Sequence, residues 1–345
     1  MKQQSGLLRF LSVWHLLVLL VALVVLFTVI KPDTFPTAFT FKSMASSRSI
    51  NAMMALAVMI PLACNQFDLS AASIVGIGQV LANGLQTQQG LSWPAACAIV
   101  LAIGALVGLV NGLLVTRARI NSFIATLGTG TLLLGVNQWY TGGRQVVGPL
   151  PDGFTGLAAV VPGMAVPLPL IYALAIAFLL WIVFDHRPLG RFLFVIGDIP
   201  RAAVLSGIPA DRYVVLAFVA SGVIAAIAGI VLQAQLRVGQ STVGQELLLP
   251  AFTGALLGAT AIRPGRPNPW GTILAVAVLA VAVAGLSQLG APFYVEPIFN
   301  GAMLILAVGL AAWMTRRREQ RLATAEAERR RATGPPPEAG EAGRA

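Results

Sequence analysis

The strongest constraint in this chain is a succession of apolar runs, several of them about as long as a bilayer's hydrocarbon core is thick and without a charge. Leu11 to Ile30 is the first of them. A helix needs about 20 mostly apolar residues to cross a core about 30 Å thick. Only a helix keeps every backbone hydrogen bond inside such a run, so the chain reads as an all-α, polytopic membrane protein. Composition agrees, since 57% of residues are hydrophobic and 10% charged, against about a quarter charged in soluble domains.

Ten spans are expected. They run from Trp14 to Ile30, from Ser49 to Gln66, from the following residues to Leu85, from Pro94 to Val115 and from Phe123 to Tyr140. The remaining five cover Leu168 to Phe184, Tyr213 to Gln235, Glu246 to Ala261, Trp270 to Leu289 and Val295 to Trp313. The first ends at Lys31, Pro32 and Asp33, which cannot continue a lipid-exposed helix. Its apolar core is too long for a signal peptide, and no small-residue cleavage site follows, so it is kept as a span.

An even number of spans puts both termini on one side, and basic residues should crowd the cytoplasmic side. With the N-terminus inside, Lys2, Arg9, Arg117, Arg119, Arg187, Arg191, Arg201, Arg212, Arg263, Arg266 and eight tail arginines are cytoplasmic, leaving Lys31, Lys42, Arg48, Arg144 and Arg237 outside. The chain thus divides into a cytoplasmic N-terminus (1–13), a transmembrane domain (14–315) with a cytoplasmic insertion at 185–212, and a tail (316–345). That tail is rich in Arg, Glu, Ala, Pro and Gly and is expected to be disordered.

The net charge of +10 is spread over loops and tail without an aromatic-interleaved patch, which argues against nucleic acid. There is no phosphate-binding loop with its lysine, no metal-ligand spacing, and His15 and His186 are far apart, so no catalytic residue, metal or cofactor is expected in this chain. Cys64 and Cys97 read as packing residues. The acids Asp68, Glu246 and Glu296 fall near span ends, whereas an ion-coupled carrier keeps an acidic or histidine relay at mid-depth. Gly104, Gly108 and Gly112 share one helical face, and Gly254 and Gly258 repeat the spacing, which suits close helix packing. Asn65, Gln66, Asp68, Ser70, Asn137 and Gln138 are the polar residues expected to line a path or to bond neighbouring helices.

The segment Gly190 to Ile208, GRFLFVIGDIPRAAVLSGI, is a charged cytoplasmic insertion with a helix-compatible piece from Pro200 to Ser206. Here and elsewhere the chain resembles the permease subunits of ribose-type and related monosaccharide ABC importers. The resemblance rests on an ordered set from about Asn51 to Val308: Phe67-Asp68-Leu69-Ser70, Gly108-Leu109-Val110-Asn111-Gly112, Phe123 to Gly128, Tyr140 to Gly143, Gly190-Arg191, Ala202-Ala203 with Leu205 to Ile208, Ser221-Gly222, Ala228-Gly229, Trp270-Gly271-Thr272 and Phe299-Asn300-Gly301.

The resemblance implies a bacterial inner-membrane subunit that moves a small polar solute, a monosaccharide foremost. It implies an ABC ATPase partner that carries the ATP, an extracytoplasmic solute-binding protein, and a second permease chain forming a homodimer. It further implies that Arg201, Ala202, Ala203, Leu205, Ser206, Gly207 and Ile208 couple to the ATPase. Ile199, Val204 and Ser122 depart from the family pattern, which commonly has Asn, Arg and Pro there, and Gly258-Ala259-Thr260-Ala261 replaces a double-glycine, Thr-Ser motif. The alternative from the residues alone is a stand-alone carrier or facilitator.

Overall fold

A computed structural model describes residues 6–309 apart from Pro162, Met164 and Ala165. Lys2, the tail and its arginines lie outside the described residues. Among the described residues every regular element is helical, and extended pairing is confined to two isolated bridges, Val146 with Gly239 and Val160 with Pro167. The all-α expectation therefore holds.

The helices are α1 (Gly6–Ile30), α2 (Ala38–Ala63), α3 (Ser70–Thr87), α4 (Trp93–Thr116), α5 (Ser122–Thr141), the short α6 (Asp152–Thr155), α7 (Leu168–Trp181), α8 (Pro188–Asp198), α9 (Pro200–Leu205), α10 (Ala210–Leu236), the short α11 (Val243–Glu246), α12 (Leu248–Gly258) and α13 (Pro269–Gln288). A last apolar helix, α14, covers Val295–Gly309. Among the described residues six helical stretches are long and apolar enough to cross a membrane: Val13–Ile30, Ala38–Ala63, Trp93–Thr116, Leu168–His186, Ala210–Leu236 and Pro269–Gln288. The other four expected spans fall on α3, α5, α12 and α14.

One boundary differs strongly from expectation, for a physical reason. Helix α2 starts at Ala38, well before Ser49, because Thr37 caps it by accepting from the Thr40 amide; the Ser, Lys and Arg residues of its first turns lower the hydropathy that marks the rest as a span. Helix α5 is unbroken through Gly128 and Gly130. At Gly130 the missing side chain lets α5 lie against Ser70 and Ser73 of α3.

Helix α3 is the axis of the bundle. All but a few of its side chains are buried, and α10, α5, α4 and α11 pack around it. A helix buried on every side needs partners for its polar groups, which accounts for what surrounds Ser70, Ser73, Gln79 and Asn83. Helix α4 meets α10 through its glycines. A methyl at Gly104 would strike the carbonyl of Gly222, at Gly108 that of Phe218, and at Gly112 the Cα of Val215.

The bundle has two unlike ends. One gathers Arg117, Arg119, Arg187, Arg191, Arg201, Arg212, Arg263 and Arg266 in α8, α9, the start of α10 and the neighbouring loops. It is tied together by His15 Nε2 with Thr260 Oγ1 (3.1 Å) and by ion pairs between loops. At the other end Thr34 and Thr40 bond Gln288, and Val146 pairs with Gly239.

Candidate functional site

The 185–212 insertion folds as a braced arm. A π turn, Ile182–His186, carries α7 into the basic end, where Arg187 is extended and Pro188 starts α8 at a position that loses no hydrogen bond. Phe184 packs edge-on against Phe194 (5.6 Å between rings), and Gly190 lets the α8 backbone sit directly on that of Phe184. Gly197 brings the same helix onto the Ala63 carbonyl at the end of α2.

Three aspartates pin the arm to its neighbours. Asp185 pairs with Arg263, Asp198 with Arg266 at 3.7 Å, and Asp211 with Arg119 at 3.5 Å. The Arg266 guanidinium also lies 5.2 Å from the centre of the Phe194 ring. Each exposed pair is weak alone, but together they fix the direction in which α9 projects.

Helix α9 is a single turn and a half at the tip. Ala203 is fully buried in the main core, whereas Val204 is 65% exposed and Leu205 89% exposed. Ile199, at its start, is also exposed. After Ser206 the chain reverses through Gly207 at φ +74°, a conformation that favours glycine.

The interior holds two polar constructions. In the first, Asp68 is fully buried between α2 and α3. Its carboxylate accepts from Ser70 Oγ (2.6 Å), the Ser70 amide (3.1 Å) and Ser221 Oγ of α10 (2.7 Å). Asn111 Nδ2 of α4 donates to Ser70 Oγ (2.7 Å), and Thr129 Oγ1 of α5 donates to Asn111 Oδ1 (2.7 Å). The non-helical backbone at Phe67 and Leu69 is satisfied by Ser122 and Thr126, each hydroxyl accepting an amide at 3.1 Å. One carboxylate thus joins four helices.

The second construction holds an unwound segment. After α10 the chain, expected to lie outside from Arg237 to Gly244, runs back along α3. Asn83 Nδ2 donates to the Arg237 carbonyl (3.4 Å), and Gln79 Nε2 to that of Val238 (2.8 Å) while its Oε1 accepts from the Gln240 amide (3.3 Å). Asn137 Nδ2 donates to the Ser241 carbonyl (3.1 Å), and Gln245 Nε2 to Ser73 Oγ (3.0 Å). From Asn83 to Ser73 is about 15 Å of helix. Gly244 permits the descent, because a Cβ there would strike the Ala72 carbonyl. Irregular backbone at such depth is tolerated only where protein satisfies it.

Of the sequence-selected path residues, Asp68, Ser70 and Asn137 belong to these buried constructions, and Asn65, Gln66 and Gln138 are exposed or half-exposed. Gln138 shares the open side of α5 with Thr131 and with Gly128 and Gly135, whose absent side chains face empty space. Gly254 packs on Val276 and Ala55, and Gly258 on the backbone of Gly271 and Thr272. Gln79 and Asn83 were not singled out, although Gln79, Asn83 and Gln86 repeat at helical spacing, and Asn111 and Ser221 entered only as motif residues without a role. Among the described residues no group of three or more His, Cys, Asp or Glu side chains could hold a metal ion.

A helical bundle with buried polar seams, one strongly basic end and an arm presenting apolar side chains there is a polytopic membrane fold with a surface open to contact. The chain belongs to the family described as the branched-chain amino acid transport system permease component, whose profile matches residues 41–308. It is 30% identical over 302 residues to the ribose import permease of Escherichia coli strain K12, covering 85% of this chain and 91% of that one. The ribose import permease of Haemophilus influenzae is 27% identical over 303 residues, with 87% and 93% covered. The LsrD permease of the autoinducer 2 import system of Klebsiella pneumoniae is 32% identical over 301 residues, with 85% and 89% covered. No solved structure matches. The chain is accordingly an inner-membrane permease subunit of the monosaccharide-type ABC importers, and a transport subunit rather than an enzyme.

Proposed function

We propose that this chain forms half of a translocation path for a small, uncharged, polyhydroxylated solute such as a monosaccharide, opened and closed by an ATPase that docks on α9. The observation that carries this reading is the exposure of Val204 and Leu205 at the tip of a braced arm, at the basic end of the molecule. An apolar tip surrounded by arginines suits a partner surface with an apolar pocket and an acidic rim. ATP resides on that partner, and an extracytoplasmic binding protein delivers the solute at the other end.

The similarity to ribose and autoinducer 2 permeases supports a sugar-like solute, and the binding protein selects which one. The open side of α5, with Thr131 and Gln138, supports a path shared with a second copy of this chain, reached from the basic end by Asn65 and Gln66. Uncharged donors and acceptors match hydroxyls without the desolvation cost of fixed charges. The four remaining helices, α3, α5, α12 and α14, complete ten spans, with both termini on the arginine-rich, cytoplasmic side.

Reconstitution tests this. Liposomes containing the chain, its ATPase and its binding protein should accumulate labelled solute only with ATP inside reach of the ATPase. Uptake by the chain alone down a gradient, unchanged by ATP and partners, would overturn the reading.

A further inference from the structure

A cavity of about 630 Å³ lies between α1, α2, α7 and α13, away from the α3 network, and its size is that of a ligand site. Its walls are apolar, from Leu20 and Val24 of α1 through Phe41 and Ala45 of α2 to Ala173 and Ala277. Three of its polar side chains are already engaged: Thr37 donates to the Thr34 carbonyl, Ser49 to that of Ala45, and Arg48 to Glu296. A polyhydroxylated solute would lose its water here and gain few partners, so the cavity suits an apolar ligand.

Its shape and place narrow the ligand further. The α2 wall extends from Thr37 to Ala52, about 22 Å along a helix, whereas one leaflet contributes about 15 Å of hydrocarbon. Helix α1 rests on α13, so the space between α1 and α2 opens sideways toward lipid. Phe35, Pro36 and Thr37, at the start of α2, line one end of it. Lys31 stands beside it, its carbonyl accepting from the Phe35 amide at 3.0 Å, and Lys42 follows the lining Phe41 on α2.

We infer that this cavity is a lipid site: one acyl chain of an anionic phospholipid occupies it, with the headgroup phosphate at Lys31 and Lys42. The full-length chain would be placed in nanodiscs containing phosphatidylglycerol with a diazirine midway along one acyl chain, irradiated, and its adducts mapped by mass spectrometry. Adducts should concentrate on Leu20, Val24 and Ala45. Ala277→Trp should remove them while leaving labelling of the exposed α4 residues Leu106 and Leu113 unchanged. Should that variant fail to fold, Val24→Trp fills the space from α1, where the side chain is already 39% exposed. A double Lys31→Glu, Lys42→Glu variant should lose the preference for phosphatidylglycerol over phosphatidylethanolamine. Cavity labelling no denser than on α4, labelling indifferent to the tryptophan, an unchanged lipid preference, or cross-links from this groove to another protein chain would overturn the proposal.

Discussion

At the scale of single residues, Asp68 is held by hydroxyls and an amide rather than by a cation, with Ser221 reaching it from α10 at 2.7 Å. Removing that hydroxyl leaves a buried acceptor short of a partner, at a cost of about 1–3 kcal/mol. Ser221→Ala should therefore lower the thermal midpoint of the detergent-solubilised protein, whereas Thr131→Ala on the open side of α5 should not. A residue that departs from the family pattern turns out to be employed: Ser122, where a proline is common, accepts the Phe67 amide. Such roles were not legible in the sequence, because a serine or threonine inside an apolar run looks the same whether it bonds its own helix or a loop dozens of residues away.

At the scale of elements, α9 separates two jobs that adjacent residues perform. Ala203 anchors the helix in the core, so Ala203→Asp would damage the fold as well as docking and cannot tell the two apart. Leu205→Asp can, because its side chain is 89% exposed. It should abolish stimulation of the partner's ATPase while leaving the thermal midpoint within about 0.5 kcal/mol of stability. Gly207→Pro should also uncouple the subunit, since proline cannot adopt the φ of +74° found there. The sequence made this element readable, as proline, alanines and glycine punctuate a charged segment between apolar runs. It also made α1, α4, α7, α10 and α13 readable, because helices that cross the hydrocarbon core are apolar whether they face lipid or, like α10 and α13, mostly pack inside the bundle. The unwound stretch after α10 was not readable, because its carbonyls are satisfied by amides from α3 and α5, and no local pattern announces such partners.

At the scale of the whole molecule, the two ends differ in charge enough to fix an orientation that can be measured. In a chain with Cys64 and Cys97 replaced, single cysteines at Lys42 or Arg144 should react with a membrane-impermeant maleimide added outside intact cells, and cysteines at Arg201 or Arg266 only after the membrane is opened. The reverse pattern would place the arm on the wrong side for an ATPase. The stretch from Arg237 to Gln245 carries a consequence for biosynthesis. Its partners Asn83, Gln79 and Asn137 precede it by 154, 159 and 104 residues, so they are already in the bilayer when it emerges from the ribosome. The half-length α12 therefore never has to insert by its own apolarity; it is received by helices made earlier. A circular permutation that placed α11 and α12 ahead of α3 would present bare carbonyls to lipid, and such a chain should be degraded during insertion even though every contact of the finished bundle is preserved.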